Sequence, residues 1–207
     1  IKIYRKFFIV FIGVYFLMDK LKKIWKFLWK DDSLLSWVVN IVLAFVLVKF
    51  IIYPGIGLLM GTGYPVVAVV SGSMEHEGSF DDWWDWQGDW YLGNDISEED
   101  FLDFPFKNGF NKGDIMVLVG VDIENIDIGD VVVFDGVSAN PIIHRVVDKD
   151  FDDEWYVSTK GDHNTDSYLQ LGEDRIDQER IIGKAIVRVP LLGWIKIVAV
   201  EIFGVFS

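Results

Sequence analysis

The sequence predicts a mainly β body, a barrel or sandwich, carried on an N-terminal transmembrane helix. Three observations predict it. Ser33 to Val70 is a 38-residue stretch whose only charge is Lys49. Short β-branched runs follow, separated by Gly, Asp and Asn clusters, as in all-β domains. Charge divides the same way: residues 1–33 hold eight Lys/Arg against three Asp, and residues 34–207 hold eleven basic against twenty-nine acidic residues.

Residues 1–33 read as a basic cytoplasmic or interfacial segment. Phe7 to Met18 is apolar but only twelve residues long, too short to span alone, and is expected to lie in the membrane plane. No A-x-A-like site follows it, so it is not read as a removed signal peptide. Leu21, Ile24, Trp25 and Leu28 recur at helical spacing with lysines on the other face, the pattern of an interfacial helix or of one packed on a partner. Residues 34–54 form the expected transmembrane helix: Leu34 to about Tyr53 supplies the roughly 20 apolar residues that a bilayer core requires. Asp31, Asp32 and Ser33 can cap its start, and Pro54-Gly55 should end or kink it. The basic flank places the N-terminus in the cytoplasm and the acidic body on the far side.

Residues 55–189 form the predicted β-rich body. Its expected strands are Pro65–Val70, Ile115–Val119, Val131–Phe134, Ile142–Val147, Trp155–Ser158 and Ile181–Val189. No helix of ordinary length is expected there, except near Ser97 to Asp103. An insert at about 80–106 carries Trp83, Trp84, Trp86, Trp90 and Tyr91 among four aspartates. It is expected either at the membrane interface or as a satellite hydrophobic cluster. Residues 190–207 are apolar apart from Lys196 and Glu201 and are expected to associate with the membrane.

The chain has no cysteine, which removes disulfides, thiolate metal sites and a cysteine nucleophile. Its acidity argues against nucleic acid as a partner. No metal site is expected: the run Asp148, Asp150, Asp152, Asp153 lacks the glycine and terminal glutamate of a calcium loop. The three histidines, His76, His144 and His163, are the natural bases near neutral pH. Where the apolar stretch ends stands Ser71-Gly72-Ser73-Met74, which would hold a hydroxyl near a membrane surface. Serine needs an activating base.

Five stretches together resemble the type I signal peptidases, in the archaeal and endoplasmic-reticulum branch. They are Val69 to Glu75, Gly129 to Phe134, Ile142 to Val147, Thr159 to Asn164, and Ile182-Gly183-Lys184 continuing to Val189–Trp194. The resemblance implies a membrane-anchored serine endopeptidase that removes signal peptides from exported preproteins, with no cofactor. It implies Ser73 as nucleophile and His144 as general base, where bacterial relatives carry lysine. Ser71, Gly72 and Met74 are the expected oxyanion and substrate-binding residues. Asp162 matches the family's Gly-Asp box, whereas the position six residues later holds Tyr168. Either Asp162 or Asp166 could orient His144, with Asp162 ranked first. Expected partners are preproteins, membrane lipid and translocon or accessory subunits. A related membrane peptidase with another substrate, and an inactive anchored β-domain that binds partners, remain the alternatives.

Overall fold

A computed structural model describes residue 15 and residues 18–137, 140–195 and 197–198. The expected in-plane segment Phe7–Met18 and the C-terminal run Pro190–Phe206 lie largely outside the described residues. The chain divides into two units, Ile1–Pro54 and Gly55–Ser207.

The first unit contains helix α1 (residues 18–30) and most of a long apolar helix. Helix α2 (Leu34–Leu47) begins at Ser33, whose side chain accepts the Ser36 N–H and satisfies one of the donors a helix start leaves open. Pro54 has no N–H to donate, and its ring crowds the preceding turn. The helix absorbs this through a π segment, Val48–Ile52, and continues as α3 (Tyr53–Met60) rather than ending near Tyr53. The run Leu34–Met60 has 27 residues and contains an 18-residue window of mean hydropathy 2.5, long and apolar enough to cross a membrane.

The second unit is built on one six-stranded antiparallel sheet. Its strands are β1 (Val66–Ala68), β2 (Ile115–Val119), β3 (Val131–Phe134), β4 (Ile142–Asp152), β5 (Glu154–Lys160) and β6 (Ile181–Val189), in the order β1-β2-β6-β3-β4-β5. The mainly β expectation therefore holds. Strands β2, β3 and β6 match their expected bounds, whereas β4 runs five residues further and forms a long hairpin with β5. Alternating residues pack two apolar clusters, one around Met74, Phe110, Met116 and Leu118, the other around Ile126, Phe134, Val146 and Ile176.

The insert corrects the expectation of a helix-poor body. Phe80–Leu92 forms α4, a 13-residue helix, and Glu98–Asp103 forms α5. A reciprocal capping box, Ser79 with Asp82, starts α4, and Ser97 with Asp100 starts α5 in the same way. Trp83, Gln87 and Tyr91 recur every four residues and are buried, while Asp81, Asp82, Asp85 and Asp89 lie outward. Of the two roles expected for the insert, the aromatics form the satellite cluster. Trp83, Tyr91, Ile96 and Phe101 pack with Val147 of β4, and the Phe101 ring lies 4.9 Å from both Trp83 and Tyr91.

Candidate active site

The Ser71–Met74 segment is a turn held from three directions. Glu75 N–H donates to Gly72 O at 3.0 Å, His163 N–H to Ser73 O at 2.9 Å, and Phe110 N–H to Met74 O at 2.9 Å. Ser73 is thereby fixed beside the chain that leaves the sheet toward His163. His144 stands on β4 opposite Val132 of β3 and is 3% exposed.

Ser73 Oγ lies 2.9 Å from His144 Nε2, and Ser71 Oγ lies 3.1 Å from Ser73 Oγ. The other ring nitrogen, His144 Nδ1, meets Glu173 Oε1. A carboxylate only accepts, so the proton belongs on Nδ1 and Nε2 is left free to accept from the Ser73 hydroxyl. Glu173 is fully buried. Its carboxylate also accepts from Thr159 Oγ1 at 3.2 Å and from Tyr168 N–H at 2.8 Å, which fixes its orientation.

Both expected acids lie elsewhere, and this corrects the contact anticipated for His144. Asp162 is fully buried and binds Arg145 in a two-point fork, Nε to Oδ1 at 2.9 Å and Nη2 to Oδ2 at 2.7 Å. It also accepts from Tyr91 OH at 3.0 Å and from His76 Nε2 at 2.9 Å. Arg145 places its remaining N–H groups on the carbonyls of Pro105, Gly129 and Phe106. Burial alone would raise the Asp162 carboxyl, but the Arg145 charge and the bonds from His76 and Arg145 hold it well below the usual carboxylate range. The same burial and the Asp162 charge push the Tyr91 phenol well up. Adjacent strand residues project to opposite faces, so neighbouring His144 and Arg145 serve two separate networks.

Asp166 is exposed and accepts the Trp90 indole N–H at 2.9 Å. Met74, expected beside the substrate, is fully buried in the core, where its sulfur accepts from the Asp162 N–H at 3.4 Å. Gly72, expected at the oxyanion and substrate site, lies in the turn, where a Cβ would be 3.0 Å from a Glu75 carboxylate oxygen. His76 stacks on Trp83 at 3.8 Å, and His163 packs edge-on to Trp86.

Sequence reasoning missed Glu173 altogether. It lies eleven residues beyond Asp162 and belongs to none of the five stretches. It is delivered by long-range pairing: Thr159 N–H donates to Glu173 O, and Val157 bridges Ile176. A second missed residue is Lys160, buried beside the site. Its ammonium donates to Gln87 Oε1 at 3.1 Å and Gly161 O at 3.2 Å, and lies 4.8 Å from the Tyr91 ring centre. Burial lowers its pKa to about 8, against the opposing pull of Asp162, Asp166 and Glu173.

No family model matches the chain. Curated relatives do. The signal peptidase complex catalytic subunit of Metarhizium robertsii is 28% identical over 159 residues, 73% of each chain. That of Komagataella phaffii is 29% identical over 163 residues, 73% of this chain and 76% of the relative. That of Fusarium vanettenii is 26% identical over 158 residues, again 73% of each.

Over 73% of its length, this chain is similar to signal peptidase complex catalytic subunits.

Gly161 explains why the Thr159–Asn164 stretch approaches the Ser73–His144 pair so closely. A Cβ on Gly161 would lie 2.7 Å from Ser73 O and 2.9 Å from His144 Nε2. Only a residue without a side chain lets the chain leaving β5 come this close to the Ser73–His144 pair.

Proposed function

We propose that the chain is a membrane-anchored serine endopeptidase that removes signal peptides from exported preproteins. The observation that carries this reading is the chain of contacts from Ser73 Oγ through His144 to Glu173. Ser73 Oγ attacks the carbonyl of the scissile bond as its proton passes to His144 Nε2. Glu173 holds the imidazole in the required tautomer and stabilises the imidazolium that forms. The Ser73 N–H and the Ser71 hydroxyl are the candidate donors for the developing oxyanion. His144 then protonates the departing amine, and water hydrolyses the acyl-enzyme along the reverse proton route.

The relatives' names as catalytic subunits of a signal peptidase complex support this substrate class and accessory subunits as partners. The helix Leu34–Met60 supports a membrane anchor, and the basic flank before it supports a body on the extracytoplasmic side. Ser73 follows Met60 by only thirteen residues, which suits a substrate whose cut site emerges at the membrane face.

The test is cleavage of a panel of preproteins by the purified full chain in detergent, with the cut sites mapped by mass spectrometry. Cleavage after a small residue at the end of each signal peptide is expected. Intact preproteins alongside cleavage of some other membrane-protein class would replace the substrate assignment. In the same assay Gly161→Ala should lower the rate by about a hundredfold with the fold retained, because misplacing reacting groups by about 1 Å costs that much. Wild-type turnover by this variant would show that the close approach at Gly161 is immaterial.

A further inference from the structure

The face of α1 in the N-terminal unit is unaccounted for by peptide hydrolysis. At about 100° per residue, Leu21, Ile24, Trp25, Leu28 and Trp29 share one arc, and Lys22, Lys23, Lys26 and Lys30 share the other. The apolar arc is open: Leu21, Ile24, Trp25 and Trp29 are between 55% and 70% exposed. Such a face finds cover on a partner or at a membrane surface. The one acid in the helix, Asp19, is paired with Lys23 at 2.9 Å, so the remaining charge of the polar arc is strongly positive.

A second observation fixes where this helix ends. Ser36 Oγ donates to Phe27 O at 2.7 Å, and Asn40 Nδ2 donates to Leu28 O at 2.8 Å. These side chains stand on the first two turns of α2. They satisfy two of the carbonyls that the C-terminus of α1 leaves without helical partners. The end of α1 is thus tied to the beginning of the apolar helix, where a spanning helix passes through the headgroup layer.

We propose that α1 is an in-plane anchor for the anionic phospholipids of the membrane that α2 enters. Its apolar arc lies at the acyl boundary, and its lysines lie against headgroup phosphates. This rests on reading Leu34–Met60 as a span and is independent of the peptidase chemistry. A cleft of about 420 Å³ at the C-terminal end of α1 is lined by Lys23, Lys26, Lys30 and Phe27 together with Asp31 and Asp32. Three cations facing two anions make a poor selective pocket, so the whole lysine face, rather than one site, does the binding.

The absence of native cysteine makes single-cysteine labelling of the full chain direct. Ile24→Cys, Lys26→Cys and Leu43→Cys, each carrying an environment-sensitive fluorophore, are reconstituted in phosphatidylcholine vesicles with and without phosphatidylglycerol. Collisional quenching by a lipid with a shallow nitroxide is then read. The label at position 24 should be quenched and that at 26 spared. Quenching at 24 should rise about twofold or more with phosphatidylglycerol, and the rise should vanish in a Lys22→Gln/Lys26→Gln/Lys30→Gln background or at high salt. Equal quenching at 24 and 26, or no response to phosphatidylglycerol, overturns the proposal. The label at 43 reports the span: if it too escapes lipid quenchers, the membrane reading of α2 fails and the anchor fails with it, whereas quenching at 43 without quenching at 24 rejects α1 alone.

Discussion

Ser73→Ala and His144→Ala are each expected to lower preprotein cleavage by roughly 10⁵- to 10⁶-fold, and the double variant to be no worse than either single one. Nucleophile and base act as a unit, so removing either removes the whole covalent route. Glu173→Gln should cost less, about 10²- to 10⁴-fold, and mainly in kcat. An amide of the same shape can donate to His144 Nδ1 and so favour the wrong tautomer. It also carries no charge to offset the imidazolium. Asp166→Asn removes an exposed group bonded to Trp90 and should leave cleavage within a few-fold of wild type. The measurement is single-turnover cleavage of a purified preprotein, with near-ultraviolet circular dichroism confirming that each variant folds. Undiminished turnover by Ser73→Ala or His144→Ala would end the serine mechanism. If Glu173→Gln were silent while Asp166→Asn was crippled, the orienting acid would have to be reassigned.

Asp162→Asn is expected to destabilise the body by about 3–5 kcal/mol, because it leaves the buried Arg145 guanidinium without its counter-charge. Arg145→Met should be comparably severe for the mirror reason, stranding the carboxylate. Loss of cleavage in these two variants would therefore follow loss of structure, which separates them from Glu173→Gln. The pH dependence follows from the same shift. The folded carboxyl of Asp162 titrates well below the unfolded one, so its stabilisation is fully present above the ordinary carboxylate range near pH 4. It is lost as the pH falls through that range toward the lower folded value. The urea midpoint, read by tryptophan fluorescence in detergent, should thus drop between pH 5 and pH 3 in the wild type. The Asp162→Asn protein should start lower and show a smaller drop. Equal midpoints for wild type and Asp162→Asn at pH 7 would mean that the Arg145 fork contributes nothing to stability.

The aromatic helix α4 gives that network its shelter. Trp83 donates its indole N–H to Asp162 O at 3.2 Å, Tyr91 binds the carboxylate, and Phe101 lies 4.7 Å under the Arg145 guanidinium. A buried ion pair is tolerable when its remaining donors and acceptors are satisfied, and here all the Arg145 N–H groups find acceptors. The insert that stands out in the sequence for its tryptophans is, in the fold, the lid over Asp162 and Arg145.

Much of this was legible in the residues alone, because it rests on local pattern. The long apolar helix follows from the hydropathy of Leu34 onward, β3 and β6 from β-branched runs between turn residues, and the Ser73–His144 pair from motifs that resemble a known family. Helix α4 carries its own local signals, the Ser79–Asp82 capping box and the four-residue spacing of Trp83, Gln87 and Tyr91, beneath an unusually aromatic and acidic composition. The third member of the site had no local signature. Asp162 carries the motif, yet Arg145 claims both its oxygens, since a guanidinium one strand away is a stronger partner than a neutral imidazole. Glu173 reaches His144 only because the chain after Tyr168 turns back along β5 and pairs at Thr159 and Val157. Local motifs in the residues were enough to pick out which groups could act as nucleophile and base. Which carboxylate stands behind His144 emerges only from the fold, because it depends on register between distant segments and on which buried charge must be neutralised first.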